Sequence, residues 1–244
     1  MAKLKAALAL VAALIALAAP RAALAAPPSE DLMKRLAAYA AGFDSMRTHA
    51  SYAVEGKLES LDSDGKTDGV KEMRARVEAD GTRVSFVVLK YTEDGEDKTE
   101  DAREKARERA AEKEKEKKAD RDKKELKMPF AAAEQPRYTF DVVETDKADP
   151  SRVRISFVPK AKDETTIEGS AWVDQNAGTV VSAGFKLSRT SMWIDYVHVT
   201  VEFGAPTSLG PAVSKVALEG KGGVLFFRKK FRGEATLSNY RIAR

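Results

Sequence analysis

The sequence predicts a mainly β protein of α+β type. The expected fold is a curved antiparallel half-barrel of about eleven strands around an N-terminal amphipathic helix, with a long charged helical insertion. Three observations predict it. Apolar residues recur at helical spacing up to His49. From there the period of the pattern drops from 3.6 to 2. The alternating runs that follow are joined by Asp/Gly turns, the mark of antiparallel hairpins.

The chain starts with a stretch that reads as a secretory signal peptide, residues 1–25. Lys3 and Lys5 form a basic start, Ala6 to Ala19 an apolar core, and Ala23-Leu24-Ala25 a small-residue cleavage pattern. The core is shorter than a bilayer span, and Pro20 and Arg21 interrupt it, which sets a cleaved signal ahead of a retained membrane anchor. The mature chain, 26–244, is then expected as one exported domain, periplasmic, with no transmembrane span. Cysteine is absent, so disulfides, thiolate nucleophiles and N-terminal lipidation are excluded. The formal charge of +4 loses Lys3, Lys5 and Arg21 with the signal, leaving about +1. No net field remains to attract nucleic acid.

Residues 27–48 read as one helix. Ser29 suits the N-cap, Glu30 and Asp31 suit the positive end of the dipole, and Leu32, Leu36, Ala40 and Phe43 make an apolar face. Ala50, Tyr52, Val54, Gly56 and Leu58 then alternate with polar residues. Met73, Ala75 and Val77 form a second strand. Val84, Phe86 and Val88 form a third, with Val87, Leu89 and Tyr91 on its other face. The pattern resumes at Tyr138–Val142, Val153–Phe157, Ile167–Val173, Val181–Leu187 and Val197–Phe203. It ends with Val213–Glu219, Val224–Arg228 and Phe231–Tyr240. So many strands exceed what a flat open sheet holds without curling, and the leading helix is the natural filler of the concave side.

Between the third and fourth strands lies EDAREKARERAAEKEKEKKADRDKKELK, Glu100–Lys127, the core of an insertion placed at 97–127. Glu104, Glu108, Glu112 and Glu116 make an acidic stripe, with Lys105, Arg109, Lys113 and Lys117 a basic stripe beside it. Cross-stripe pairs contribute about 0.2–0.5 kcal/mol each. Ala102, Ala106 and Ala110 are the only apolar stripe, and no heptad supports a coiled coil. The leading expectation is a solvated helix projecting between two strands. A partly disordered linker and a partner-binding arm stay open beside it.

The residue inventory offers no enzyme. His49 sits at the helix-to-strand join and His198 on the polar phase of its strand. Neither has an Asp/Ser or metal-ligand arrangement around it. Asp174 in WVDQNAG reads as a turn initiator rather than a catalytic carboxylate. What remains is a site made of shape. Either the helix fills the concavity as a core, or an apolar cavity is left that binds greasy ligands by burial.

The order of these features resembles the periplasmic lipoprotein carriers and receptors LolA and LolB, the related lipid-binding envelope proteins and the N-terminal domain of the regulator RseB. IEGSAWVDQNAGTVVSAGFKLS, Ile167–Ser188, is the most family-like piece, and FRGEATLSNYRI resembles the family's final strand. The resemblance implies an eleven-stranded half-barrel with helices as a lid and a cavity for acyl chains. It implies no enzyme activity, no metal and no cofactor. It also implies a strand arginine that latches the lid helix, a role no residue here is assigned. The charged insertion departs from the family's usual connection, and the missing N-terminal Cys likens the chain to LolA rather than LolB.

The expected function is therefore a soluble periplasmic carrier of lipid or lipoprotein acyl chains, a transport chaperone of outer-membrane biogenesis in peripheral contact with membranes. The alternative is an RseB-like regulatory or scaffolding module that binds an envelope protein partner. The candidate cavity residues are Leu36, Phe43, Tyr52, Val54, Phe86, Phe140, Ile155, Phe157, Val173, Phe185, Val199 and Val201.

Overall fold

A computed structural model describes residues 26–80, 84–115, 126–190, 194–224 and 227–243. The expected signal peptide and residues 116–125 of the charged run lie outside the described residues. Helix α1 spans Glu30–His49 and leads into β1, Ala50–Leu61. Strands β2 (Thr67–Ala79), β3 (Val84–Glu93) and the two-residue β4 (Glu96–Asp97) follow, then helix α2, Thr99–Lys115. A 3-10 turn at Gln135–Arg137 leads into β5 (Tyr138–Thr145), β6 (Arg152–Pro159), β7 (Ile167–Asp174) and β8 (Thr179–Leu187). The chain closes with β9 (Ile194–Ala205), β10 (Ala212–Val224) and β11 (Phe227–Ile242).

All eleven strands form one open antiparallel sheet in the order β4-β3-β2-β1-β11-β10-β9-β8-β7-β6-β5. The fold class matches the expectation, with two local corrections. Val224–Arg228 is not a strand of its own: Val224 ends β10, Phe227 begins β11, and the two pair across a hairpin. The eleventh strand is instead β4, whose Glu96 and Asp97 pair with Glu93 and Thr92. Nothing in the apolar alternation marks it, because a two-residue strand has no period to read.

The topology also changes the meaning of the charged run. The chain enters the sheet in the middle, at β1, and steps outward to the β4 edge. It then crosses to the opposite edge, at β5, and returns strand by strand to β11, beside β1. Ten strand spacings of about 4.8 Å separate those edges along the sheet, so the connection after β4 has to travel on the order of 45 Å if the sheet is unrolled. The seventeen residues of α2 supply about 25 Å of that at 1.5 Å per residue. The run is the crossover of the fold.

The helix expected to project between two strands is present and exposed from Arg107 to Glu112, but it does not stand clear of the sheet at its start. Contacts with β3 hold the first turns of α2. Arg103 donates from Nε to Val88 O (2.9 Å) and from Nη2 to Leu89 O (3.3 Å). Thr99 Oγ1 accepts from Tyr91 N at 3.0 Å, and Lys98 N donates to Tyr91 O at 3.0 Å. Ala102 and Ala106 are half-buried, whereas Arg107 to Glu112 are exposed. Of the alanine stripe, Ala102 and Ala106 are on the covered side of the helix and Ala110 is exposed.

Helix α1 forms as its sequence directs. Ser29 Oγ accepts from Leu32 N at 3.2 Å, and Glu30 and Asp31 occupy the first turn. Its apolar face crosses one end of the strands. Leu32, Leu36 and Tyr39 pack with Val153, Val173 and Val180 in the main core. Met46 packs with Ala50, Ala212 and Leu209 in a second one. Gly178, at φ 66°, lets the β7–β8 turn meet the helix: a Cβ there would stand 2.4 Å from Arg35 Cβ. Arg35 Nη2 donates to Gln175 O in the same turn at 2.8 Å, so a helix arginine fastens α1 to the sheet. Asp174 initiates that turn as expected, its Oδ1 accepting from Asn176 N (2.8 Å) and Ala177 N (2.9 Å).

Candidate functional site

Register decides which side chains share a face, because directly paired residues project to the same side of a sheet. One row runs Val142, Ile155, Ala171, Ala183, Val201, Val216, Ala235, Gly56, Met73, Tyr91. It crosses ten strands without a polar side chain until the Tyr91 hydroxyl. The adjacent row runs Phe140, Phe157, Gly169, Phe185, Val199, Leu218, Gly233, Leu58. It ends at Lys71, which pairs with Glu93 at 3.0 Å.

By the same reasoning, all ten strand residues among the cavity candidates lie on this face. Tyr52 and Val54 are in phase with Gly56, and Phe86 is in phase with Val88, the partner of Ala75. Tyr91 lies here too, against the expectation that it faces the other way. A β-bulge at Leu89 shifts the phase between Val88, opposite Ala75, and Lys90, opposite Arg74.

Cover divides the face in two. Over β5–β8 it is closed. Leu36 and Ile155 are 0% exposed, Val173 0% and Phe157 1%, so these four candidates sit in a filled core. Helix α1 supplies one part of the cover and the segment after α2 supplies the other. Phe130 stacks on Phe140 at 5.5 Å and stands edge-on to Phe157 at 6.0 Å, with Met128 beside them. Gln135 Nε2 ties that segment down, donating to Met33 O (3.0 Å) and Phe130 O (2.8 Å). Phe130 belongs to neither a helix nor a strand, so no periodic pattern marks it.

Over β9–β10–β11–β1–β2–β3 the helix covers at most one end of the strands, where Met46 packs on Ala50 and Ala212, and the same rows run on beyond it. Val199, Val201, Val216 and Leu218 are half-buried by their neighbours alone, Leu58 is exposed, and Phe86 is 45% exposed. Val216, Leu218, Leu58 and Met73 join this open part, although they are absent from the candidate set. Their in-phase alternation with Val199 and Val54 is the signal that could have found them. Phe43 lies at the border, edge-on to Phe203 at 5.7 Å. Tyr52 stacks on Tyr240 at 4.9 Å on the far side of the helix end.

Three tyrosines brace this border. Tyr39 Oη donates to Pro211 O and Tyr240 Oη to Val213 O, each at 2.7 Å. Burial pushes the hydroxyls of Tyr39, Tyr52 and Tyr240 above their ordinary value, because the charged phenolate would lose its water.

The opposite face is charged. Glu168, Lys186, His198, Glu219, Arg232 and Glu59 follow one another across six strands. A groove of about 880 Å³ lies along them. A twisted sheet is saddle-shaped, so each face has one concave diagonal. The groove's charges are matched within it: Glu168 meets Lys162 (2.7 Å) and Lys186 (2.9 Å), and Glu59 meets Lys57 (2.8 Å) and Arg232. Hydrogen bonds from those cations hold both carboxyls below the usual range. Acid and base alternate, so the groove presents no field of one sign. His198 lies 3.4 Å from Glu219, exposed, and no group of three or more metal-ligating side chains occurs among the described residues. No helix among the described residues is long and apolar enough to cross a membrane.

The geometry defines a class: a single open antiparallel sheet, one end crossed by a helix, with an apolar face closed over four of its eleven strands. Chains of known structure similar to this one include a LolA superfamily protein from Nitrosomonas europaea. It is 10% identical at a TM-score of 0.37, over 90% of this chain and 95% of that one. A domain from Vibrio parahaemolyticus described as an outer membrane lipoprotein-sorting protein gives 10% and 0.39, over 86% and 91%. A DUF1329 family protein from Desulfovibrio piger gives 10% and 0.39, over 89% and 94%. No family model and no curated protein sequence matches the chain.

Proposed function

We propose that this protein is a soluble, exported binding protein or carrier for lipid or lipoprotein acyl chains, held on the open part of the apolar face. The observation that carries the reading is the pair of rows: from β9 to β3 they continue along the strands beyond the one end that the helix crosses. An acyl chain needs no polar partner, only apolar surface to cover. Each 100 Å² it buries contributes about 2.5 kcal/mol, so about 300 Å² sustains micromolar binding before ordering costs. The closed part, from β5 to β8, is a rigid backing. The ligand lies beside the helix, not beneath it.

The breadth of the face favours a second reading, in which the ligand is an envelope protein partner. Six adjacent strands, β9 to β3, are on the order of 25 Å wide, more than one extended chain covers. The experiment that tests the first reading is extraction of the protein purified from its own envelope, with mass spectrometry of the organic phase. Copurifying lipid, together with saturable binding of a fluorescent fatty-acid probe, is the expected result. A lipid-free extract with no probe binding sinks it.

A further inference from the structure

The open sheet has two edges, and they are guarded differently. At β5, Val142 N donates to Ala26 O at 2.7 Å, and Asp141 and Glu144 put charge on the strand. Charge and cover are the usual protections of an exposed edge. At the other edge, β3 reads Val84-Ser85-Phe86-Val87-Val88-Leu89 with no charge. Val84 is 50% exposed, and Phe86, Val87 and Leu89 are exposed with it. Strand β4 shields only Thr92 and Glu93.

The rest of the guard is α2. The bulge at Leu89 turns two consecutive carbonyls, Val88 and Leu89, toward the helix, and the guanidinium of Arg103 spans both. Thr99 and Lys98 hold both backbone groups of Tyr91. Among the described residues these bonds stop at Val88. Backbone direction alternates along a strand, so Val84 and Phe86 present their groups on the same side as Val88.

We propose that β3 is a self-association edge that α2 keeps half closed, and that its partner is the β3 of a second copy of this chain. An antiparallel pair about a two-fold axis at Phe86 would set Val84 against Val88 and Ser85 against Val87. No like charges meet in that register, and the contact closes on itself as a dimer. Pairing β3 with the β5 of another copy would instead meet Asp141, Glu144 and Ala26. The dimer needs the outward carbonyl of Val88, and Arg103 holds it. Arg103 and a second copy therefore compete for one acceptor.

Sedimentation velocity on the mature chain and its Thr99→Ala/Arg103→Ala variant tests this. Arg103 is itself partly exposed, so circular dichroism should show an unchanged fold. The variant should dimerise at least about tenfold more tightly than the parent, since it loses two hydrogen bonds from a charged donor. Adding Phe86→Lys, or separately Val84→Lys, should return it to the monomer. A variant that sediments as the parent does overturns the proposal, and so does a dimer indifferent to both lysines. Phe86 and Val84 also lie on the open apolar face, so acyl binding is measured on the parent and on the Thr99→Ala/Arg103→Ala variant, where the face is unchanged and only the edge is altered.

Discussion

Four candidate residues lie in a closed core and others lie on an open face, and substitution can separate the two. Leu36→Ala removes a fully buried side chain between α1 and the sheet. Such a truncation costs about 2–5 kcal/mol of stability. It leaves Val199, Val201 and Leu218 in place, so affinity for a fatty-acid probe should change less than about threefold. The triple substitution Val199→Ser, Val201→Ser, Leu218→Ser acts in the opposite way. Each side chain is half-buried without ligand. A bound chain covers the remaining half, worth about 1 kcal/mol each on a scale of 1.5–3 kcal/mol for full burial. The three together give about 3 kcal/mol, a loss of roughly a hundredfold in Kd. Probe titration by fluorescence, alongside urea unfolding of the same samples, measures both quantities. If Leu36→Ala abolishes binding while the triple variant binds normally, the ligand lies under the helix and the division into core and open face is refuted.

Three further outcomes follow from other parts of the molecule. Gly169→Ala should destabilise by more than about 1 kcal/mol in denaturant unfolding, because its Cβ would stand 2.1 Å from Gly184 O and 2.7 Å from Phe185 Cα, both backbone. Stability should fall as pH rises above about 10, where the unfolded chain ionises its tyrosines and the folded chain holds Tyr39 and Tyr240 protonated. The unfolded state then binds fewer protons than the native one, so the slope is negative. Tyr39→Phe with Tyr240→Phe should flatten it in melts taken from pH 9 to 11. Ser29→Ala should cost about 0.5–2 kcal/mol by removing the bond to Leu32 N, and thermal unfolding followed at a helical wavelength reads it.

The cap at Ser29, the turn at Asp174 and the phase of nearly every strand were legible in the sequence because each is a local rule. Capping, Asx turns and alternation all act within a few residues. The phase of Tyr91 was not legible, since a bulge leaves no mark on composition. Nor was the cover supplied by Phe130, whose position depends on contacts with Phe140 and Phe157. The candidate site was readable as one face and unreadable as two parts. Alternation states which way a side chain points but not what lies above it.

Local patterning encodes a chain of alternating strands behind an amphipathic helix, without cysteine. The strand order comes only from long-range pairing. It placed β1 beside β11 and sent β4 and β5 to opposite edges. That order turns the charged run into a crossover and gives Arg103 an edge to hold. It is set by backbone pairing between residues as distant as Ala50 and Ile242, and no local pattern encodes a partner so far away.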